Sequence, residues 1–244
     1  VDQFAGALEF FRSHPEIKRF ERFQAEQLLV LRPDLLLTNS FQEATTTSIL
    51  EEHGIPVLKF DAFRSLDGIR GSILTVGRVV GEEERAARMV AEFDARLAAV
   101  EKAVAGRKKP RAMHYSRYEQ GFAVGIGESQ DEILRRAGAV NALAELNLTG
   151  HVAFSFEQIL KLQPEWIVVS GDEGIDSPQA RVLLNSPSLA ELPAVKHGRI
   201  AAVPDRFSSS ISQYVVEAVE ILARRLHPEA FSAESGALGA GPRQ

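Results

Sequence analysis

An α/β fold of two similar lobes with mostly parallel sheets is what this sequence predicts, and three observations carry it. A nine-residue module occurs twice: Glu26-Gln27-Leu28-Leu29-Val30-Leu31-Arg32-Pro33-Asp34 returns as Glu157-Gln158-Ile159-Leu160-Lys161-Leu162-Gln163-Pro164-Glu165, 131 positions later. That distance is too long for a solenoid period and close to the size of a small domain. Helix and strand signals alternate on both sides of a long middle stretch, as in sheets built from parallel strands and crossover helices. In that middle stretch Ile69, Ile73, Val76, Val80, Ala87, Val90, Phe93, Leu97, Val100 and Val104 recur at steps of three and four, the period of an amphipathic helix.

Taken in order, each copy of the module reads as a short amphipathic helix that ends at its proline, because the residue before proline is driven out of helical geometry. An apolar run follows each copy, Leu35-Leu36-Leu37 and Trp166-Ile167-Val168-Val169, and reads as a buried strand. The first half adds a helix near 42–53 and a strand through Val57-Leu58-Lys59-Phe60. Residues 66–105 read as one long helix, or two joined near Gly81; if continuous, it spans roughly 55–60 Å at 1.5 Å per residue and could tie the lobes together. The polar stretch Gly106-Arg107-Lys108-Lys109-Pro110 then opens a second α/β series, with a strand at Ala112-Met113-His114-Tyr115. Ser129-Gln130-Asp131-Glu132 and Ser155-Phe156-Glu157-Gln158 have the form of capping boxes, and Gly138 suits a helix end. A helix through Arg181-Val182-Leu183-Leu184, a strand at Arg199-Ile200-Ala201-Ala202-Val203 and a helix from about Ser212 to Leu226 complete the series. The organisation expected is a lobe over 1–65, a connecting helix over 66–105, a second lobe over 106–231 and a frayed tail over 232–244.

Composition narrows the function. The chain has 244 residues, 45% hydrophobic and 25% charged, with a formal net charge of −5. There is no basic footprint for nucleic acid, and no apolar run approaches the ~18 residues of a membrane span. Cysteine is absent, which removes disulfides, thiolate metal sites and cysteine nucleophiles. Gly125-Ile126-Gly127 lacks the third glycine of a dinucleotide loop, and Glu128 would repel a pyrophosphate. The six histidines, His14, His53, His114, His151, His197 and His227, show no ligand spacing. His114, beside Tyr115 at a strand end, reads as a hydrogen-bonded structural histidine, and Asn147-Leu148-Thr149 as a turn. The rival class is an α/β enzyme using a cleft between the lobes, but with no nucleophile and base pair in evidence a catalytic centre is not expected.

What does recur is a set of polar and aromatic residues just past the carboxyl ends of strands, where open α/β sheets place ligands. The first half offers Asn39, Ser40 and Phe63. The second offers Tyr115, Arg117 and Tyr118, then Arg206, Phe207 and Ser208. Aromatics with two arginines suit a flat or ring-bearing, partly anionic ligand.

The doubled module, Val80-Gly81-Glu82-Glu83-Glu84-Arg85-Ala86, the Ala137-Gly138-Ala139-Val140-Asn141-Ala142 turn and the closing Leu226-His227-Pro228-Glu229 together resemble the helical-backbone (class III) substrate-binding proteins of ABC importers. The resemblance covers roughly residues 14–231. It implies two Rossmann-like lobes joined by one long spanning helix, with a ferric siderophore, cobalamin or haem held between them and only a modest hinge. The first expectation is a ferric-siderophore-type metal chelate, with cobalamin or haem as the alternative and no cofactor or directly bound metal. The resemblance further implies a monomeric, non-enzymatic receptor, periplasmic or lipid-anchored, that docks on a transmembrane permease through one carboxylate per lobe. Glu43 and Glu173 occupy the matching positions. Against the family's usual start, about one βα unit ahead of Val1-Asp2-Gln3-Phe4 is expected to be missing, together with any signal sequence.

Overall fold

The structure is a computed structural model that describes residues 13–17, 24–39, 44–61, 64–116, 121–171 and 174–231. The chain divides into two compact units, residues 1–63 and 64–244.

In the first unit α1 (Ala25–Leu31), β1 (Leu36–Asn39), α2 (Ala44–Glu52) and β2 (Val57–Phe60) follow one another, and β1 pairs with β2 in parallel from Leu36 opposite Val57 to Asn39 opposite Phe60. Leu50, fully buried, anchors α2, and Ala25 does so for α1.

The second unit begins by stapling itself to its own interior. Arg64 Nη1 donates to Glu128 Oε1 at 2.9 Å, and the Leu66 amide donates to Glu132 Oε2 at 2.7 Å. A buried carboxylate thus satisfies one of the four orphan amides that begin α3 (Leu66–Val80), while Ser65 accepts from the Gly68 amide.

Of the two forms expected over 66–105, one continuous helix or two joined near Gly81, the structure has two. α3 closes at Gly81, which takes φ 74°, and α4 (Glu83–Val104) starts afresh with Glu83 and Glu84 in its first turn. Arg70 pairs with Asp94 and lies 5.9 Å from the Phe93 ring centroid, whereas a Cβ on Gly77 would come within 2.3 Å of Ala86 Cβ. Low numbers on α3 meet high numbers on α4, so the two run antiparallel as a hairpin, and both belong to the second unit. The apolar period runs unbroken through the reversal because each helix buries one face.

After α4 come β3 (Arg111–Ser116), β4 (Phe122–Val124), α5 (Ser129–Arg136), β5 (Val140–Asn141), β6 (His151–Ala153), α6 (Phe156–Leu162), β7 (Trp166–Ser170), α7 (Pro178–Leu184), α8 (Pro193–Lys196), β8 (Ile200–Val203), α9 (Asp205–Ser208), α10 (Val215–Leu226) and α11 (Pro228–Phe231), with short 3-10 turns between some of them. The sheet order is β6-β4-β3-β7-β8, with β5 also on β3. β5, β3, β7 and β8 are parallel, and β4 and β6 form an antiparallel extension. The class is therefore mixed α/β with parallel-rich sheets, as the alternating signals predict.

Helices cover both faces of this sheet. Met113, Tyr115, Ile167 and Val169 point to one face and pack with Ile159 of α6 and Leu183 of α7. His114 and Val168, one residue out of phase, point to the other, toward Ile133 and Leu134 of α5 and Leu222 of α10. Outside α10, Arg96 of α4 donates to Glu220 at 2.8 and 2.7 Å and to Glu217 at 2.7 Å, and these carboxylates push its guanidinium still further above its usual range.

The two module copies share one backbone solution. α1 closes on Arg32 at φ 46° and α6 on Gln163 at φ 51°, each directly before its proline. The helices end where expected, but through a left-handed residue rather than an extended one, because that residue's amide bonds back to Leu29 O in one copy and Ile159 O in the other. Ser155 and Gln158 form the expected capping box on α6. The box expected at Ser129 does not form: Glu128 holds the N-cap position with no side-chain cap bond, and Glu132 reaches instead to Leu66.

Gly138, at φ 85°, ends the α5 segment with its carbonyl 3.2 Å from buried His227 Nε2, and a Cβ there would stand 2.7 Å from that nitrogen and 3.0 Å from Val104. Gly138→Ala is expected to cost about 2 kcal/mol or more, from the left-handed penalty and overpacking together. At roughly 2–4 °C per kcal/mol this lowers Tm by about 4–8 °C, readable by calorimetry.

Candidate functional site at the carboxyl ends of the strands

The carboxyl ends of β3, β7 and β8 lie side by side in the second unit, so Tyr115, Ser170 and the turn into α9 come together although they are far apart in sequence. Of the residues expected there, Tyr115 is 2% exposed. Its ring lies 6.1 Å from Phe156 at 45°, and a Cβ on Gly121 would fall 2.2 Å from its hydroxyl oxygen. Its place is the core, set by the same alternation that turns Met113 inward. Ser208 is also interior, at 3% exposed. Arg206 and Phe207 remain half-exposed on α9, with the guanidinium carbon 4.6 Å from the ring centroid. Asn39 ends β1, half-buried in the first unit. Ser40, Glu43, Phe63, Arg117, Tyr118 and Glu173 lie outside the described residues.

Beneath Arg206 and Phe207 runs a buried chain that no single motif announces. His114 Nε2 is 3.3 Å from Ser170 Oγ, which is 3.1 Å from Ser208 Oγ. The chain ties the carboxyl ends of β3 and β7 to α9. His114 Nδ1 and Thr38 Oγ1 are the buried side-chain atoms among the described residues that have no hydrogen-bond partner. The neutral Nε2–H tautomer fits this arrangement: Nε2–H donates to Ser170, Ser170 donates to Ser208, and Nδ1 keeps a bare lone pair. Next to the ring is a cavity of about 10 Å³ walled by Gln130, Ile133, Leu134, Val168, Val203 and Leu222. The sequence signal was the shared parity of positions 114 and 170 near the ends of two strands. That these strands are neighbours, with His114 opposite Val168, is visible only in the fold.

Burial pulls the imidazole pKa down from 6.5 to about 4, and His151 pushes the same way. A group more acidic in the folded than in the unfolded state contributes stability that is complete above pH 6.5 and is lost as the pH falls toward 4.

The Gly125-Ile126-Gly127 stretch is structural. The Gly125 amide donates to Gly150 O, and a Cβ there would strike Leu148 O at 2.3 Å. Glu128 is buried and paired with Arg64. Among the described residues no group of three or more His, Asp or Glu is placed to hold a metal ion, and no helix is long and apolar enough to cross a membrane.

A parallel-rich α/β fold with polar and aromatic side chains near the carboxyl ends of its strands is the class that the second unit defines. A family model described as periplasmic binding protein matches residues 7–207, and the chain belongs to that family. Cobalamin-binding proteins of two Halobacterium salinarum strains are 27% identical to it over 204 residues, 83% of this chain and 55% of theirs, so the chain spans about half the length of these relatives. Among solved structures, the periplasmic heme-binding protein RhuT from Roseiflexus sp. RS-1 superposes with a TM-score of 0.75 at 24% identity, over 86% of this chain and 81% of that one. An ABC-type Fe3+-hydroxamate transport protein from Saccharomonospora viridis does so with a TM-score of 0.69 at 26% identity, over 84% and 72%.

Relative to His114→Gln, which keeps a donor near the Nε2 position but does not titrate, the wild type is expected to lose about 3 kcal/mol of stability between about pH 7 and pH 4. Urea unfolding of both proteins across that range measures the difference.

Proposed function

We propose that this chain is the extracytoplasmic, non-enzymatic receptor of an ABC-type importer, and that it binds an intact metal chelate and presents it to the permease. The observation that carries the reading is the family match over residues 7–207, joined to strand ends that present Arg206 stacked on Phe207. Such a pair suits a ring-bearing ligand with anionic groups, since guanidinium both stacks and forks onto oxyanions.

Cobalamin is the first candidate. Its support is the sequence relationship to cobalamin-binding proteins over 83% of the chain, and on that ground we rank it ahead of the ferric siderophore favoured by sequence alone. A corrinoid also matches the chemistry: a large flat macrocycle with peripheral amides and one phosphodiester. The second reading is a ferric hydroxamate, favoured by the 26% identical transport protein, and haem is the third.

Titration of the purified protein with cyanocobalamin, a ferric hydroxamate and haemin, followed by calorimetry and visible absorbance, is expected to give saturable 1:1 binding of the corrinoid. Arg206→Ala should weaken it by about 5–150-fold, the equivalent of 1–3 kcal/mol for a charge-assisted contact. Binding of none of the three would end the reading, and binding of one of the others alone would move the assignment to that chelate.

We propose further that Glu43 and Glu173 are the carboxylates offered to the permease. Charges at the rim of a contact set encounter rate and salt dependence more than affinity for a buried ligand. Replacing both with alanine is therefore expected to leave chelate affinity unchanged and to reduce uptake by the reconstituted transporter. Full transport by the double variant would release both residues from that role.

A further inference from the structure

We propose that the His114–Ser170–Ser208 chain is an acid-sensitive latch: neutral His114 holds α9 against the carboxyl ends of β3 and β7, and its protonation releases the segment carrying Arg206 and Phe207. The coupling to ligand rests on the function proposed above; the latch itself rests on geometry in the second unit alone.

The argument starts from where a second proton would have to go. Nε2 is already committed to Ser170 Oγ, so the added proton falls on Nδ1, the buried atom with no acceptor. A new buried donor without a partner, carrying a positive charge, is the costliest state a side chain can be given. Two relaxations relieve it: His114 turns out of its site, or the segment above it lifts and admits water. The first breaks the bond to Ser170 and the second breaks the bond between Ser170 and Ser208, so each opens the chain that ties α9 to the sheet.

Among the described residues, none lining the cavity beside His114, on α5, β7, β8 or α10, offers a counter-charge to stabilise the imidazolium. On α5, Asp131 is held by Asn141 and Arg135, and Glu132 by Leu66 and Arg136. On α10, Glu217 and Glu220 are held by Arg96, and Arg224 and Arg225 are cations. Asp205 and Arg206 ride on α9 itself. His151 on β6 opposes protonation of His114, and its own contact, 3.9 Å away, is Glu128.

α9 is suited to being released. It has four residues, too few to hold helical structure unaided, so its order depends on what it is tied to. Gln130 Nε2 adds a contact to the Ser208 carbonyl at 3.4 Å, at the long limit of a hydrogen bond.

The test is amide hydrogen exchange of residues 205–210 in the whole chain, corrected for intrinsic rates and referenced to β7, at about pH 7 and about pH 4.5. Opening coupled to one histidine with the shift described above should raise wild-type exchange there on the order of tenfold or more. In His114→Gln the rise should disappear. In Ser170→Ala the segment should already exchange fast at neutral pH. An equal rise in wild type and His114→Gln overturns the latch; should His114→Gln fail to fold, undiminished protection in Ser170→Ala at neutral pH overturns it instead. A parallel cyanocobalamin titration separates the two proposals. Exchange behaving as expected with no corrinoid bound at neutral pH leaves the latch standing and removes the ligand assignment. Corrinoid affinity that falls equally with pH in wild type and His114→Gln removes the coupling.

Discussion

The second unit depends on β3 being buried on both faces while holding one register against β7. Ala112, Met113, His114 and Tyr115 are all at most 6% exposed, and their side chains alternate between two different helical layers. A slip of one residue would send Tyr115 into the layer of α5 and α10 and His114 into the apolar cluster around Ile159 and Leu183. Neither site could receive its guest: the cluster offers an imidazole no partner, and the cavity beside His114 is far too small for a phenol ring. The polar residue in this strand thus specifies register as much as the apolar ones stabilise it. Flanking contacts reinforce the choice. Arg111 grips Glu145 with both ends of its guanidinium and bonds the Gln163 and Leu162 carbonyls, closing the C-terminus of the repeated helix onto the start of the strand.

Much of this order is legible in residues alone, and the failures are informative. The module copies announced their helices, their ends and their strands because local rules govern all three: amphipathic spacing, proline, and an apolar run. The long middle stretch left one helix or two open for a physical reason. Helical periodicity reports which face is buried, and both arms of an αα-hairpin bury a face, so the apolar rhythm crosses the turn without a break. The turn was nevertheless written in Val80-Gly81-Glu82-Glu83-Glu84: a glycine able to take positive φ, followed by acids suited to a new N-terminus. Gly77 adds a signal that becomes readable only once the hairpin is known, since its missing side chain is what lets Ala86 approach.

The site was legible in a coarser way. Sequence put the candidates near strand ends, and local rules could not say which way each faced. Tyr115 and Ser208 turned inward, where Phe156 and Ser170 meet them, while Arg206 and Phe207 kept partial exposure. Facing is a tertiary property: it depends on strand order, and nothing in the local sequence says that β3 lies beside β7 and β7 beside β8. Glu128 shows the same limit from the other side. Judged locally it argues against a phosphate; in the fold it is a buried carboxylate whose partner, Arg64, is 64 positions away.

These placements bear on how a binding surface is held ready. Arg206 and Phe207 project from four residues of helix that follow an edge strand, and so short a helix brings little stability of its own. Its rigidity is borrowed through Ser208 from two strands deeper in the sheet, whose backbone is fixed by parallel pairing and by apolar burial on either side. The arrangement separates two tasks that conflict in one residue. Residues that touch a ligand must be partly exposed and polar or stacking; residues that fix position must be buried and fully bonded. A buried hydroxyl between the two converts the order of the core into order at the surface. For the ligand contact proposed for Arg206, the cost of ordering that rotamer-rich side chain is then partly met before binding.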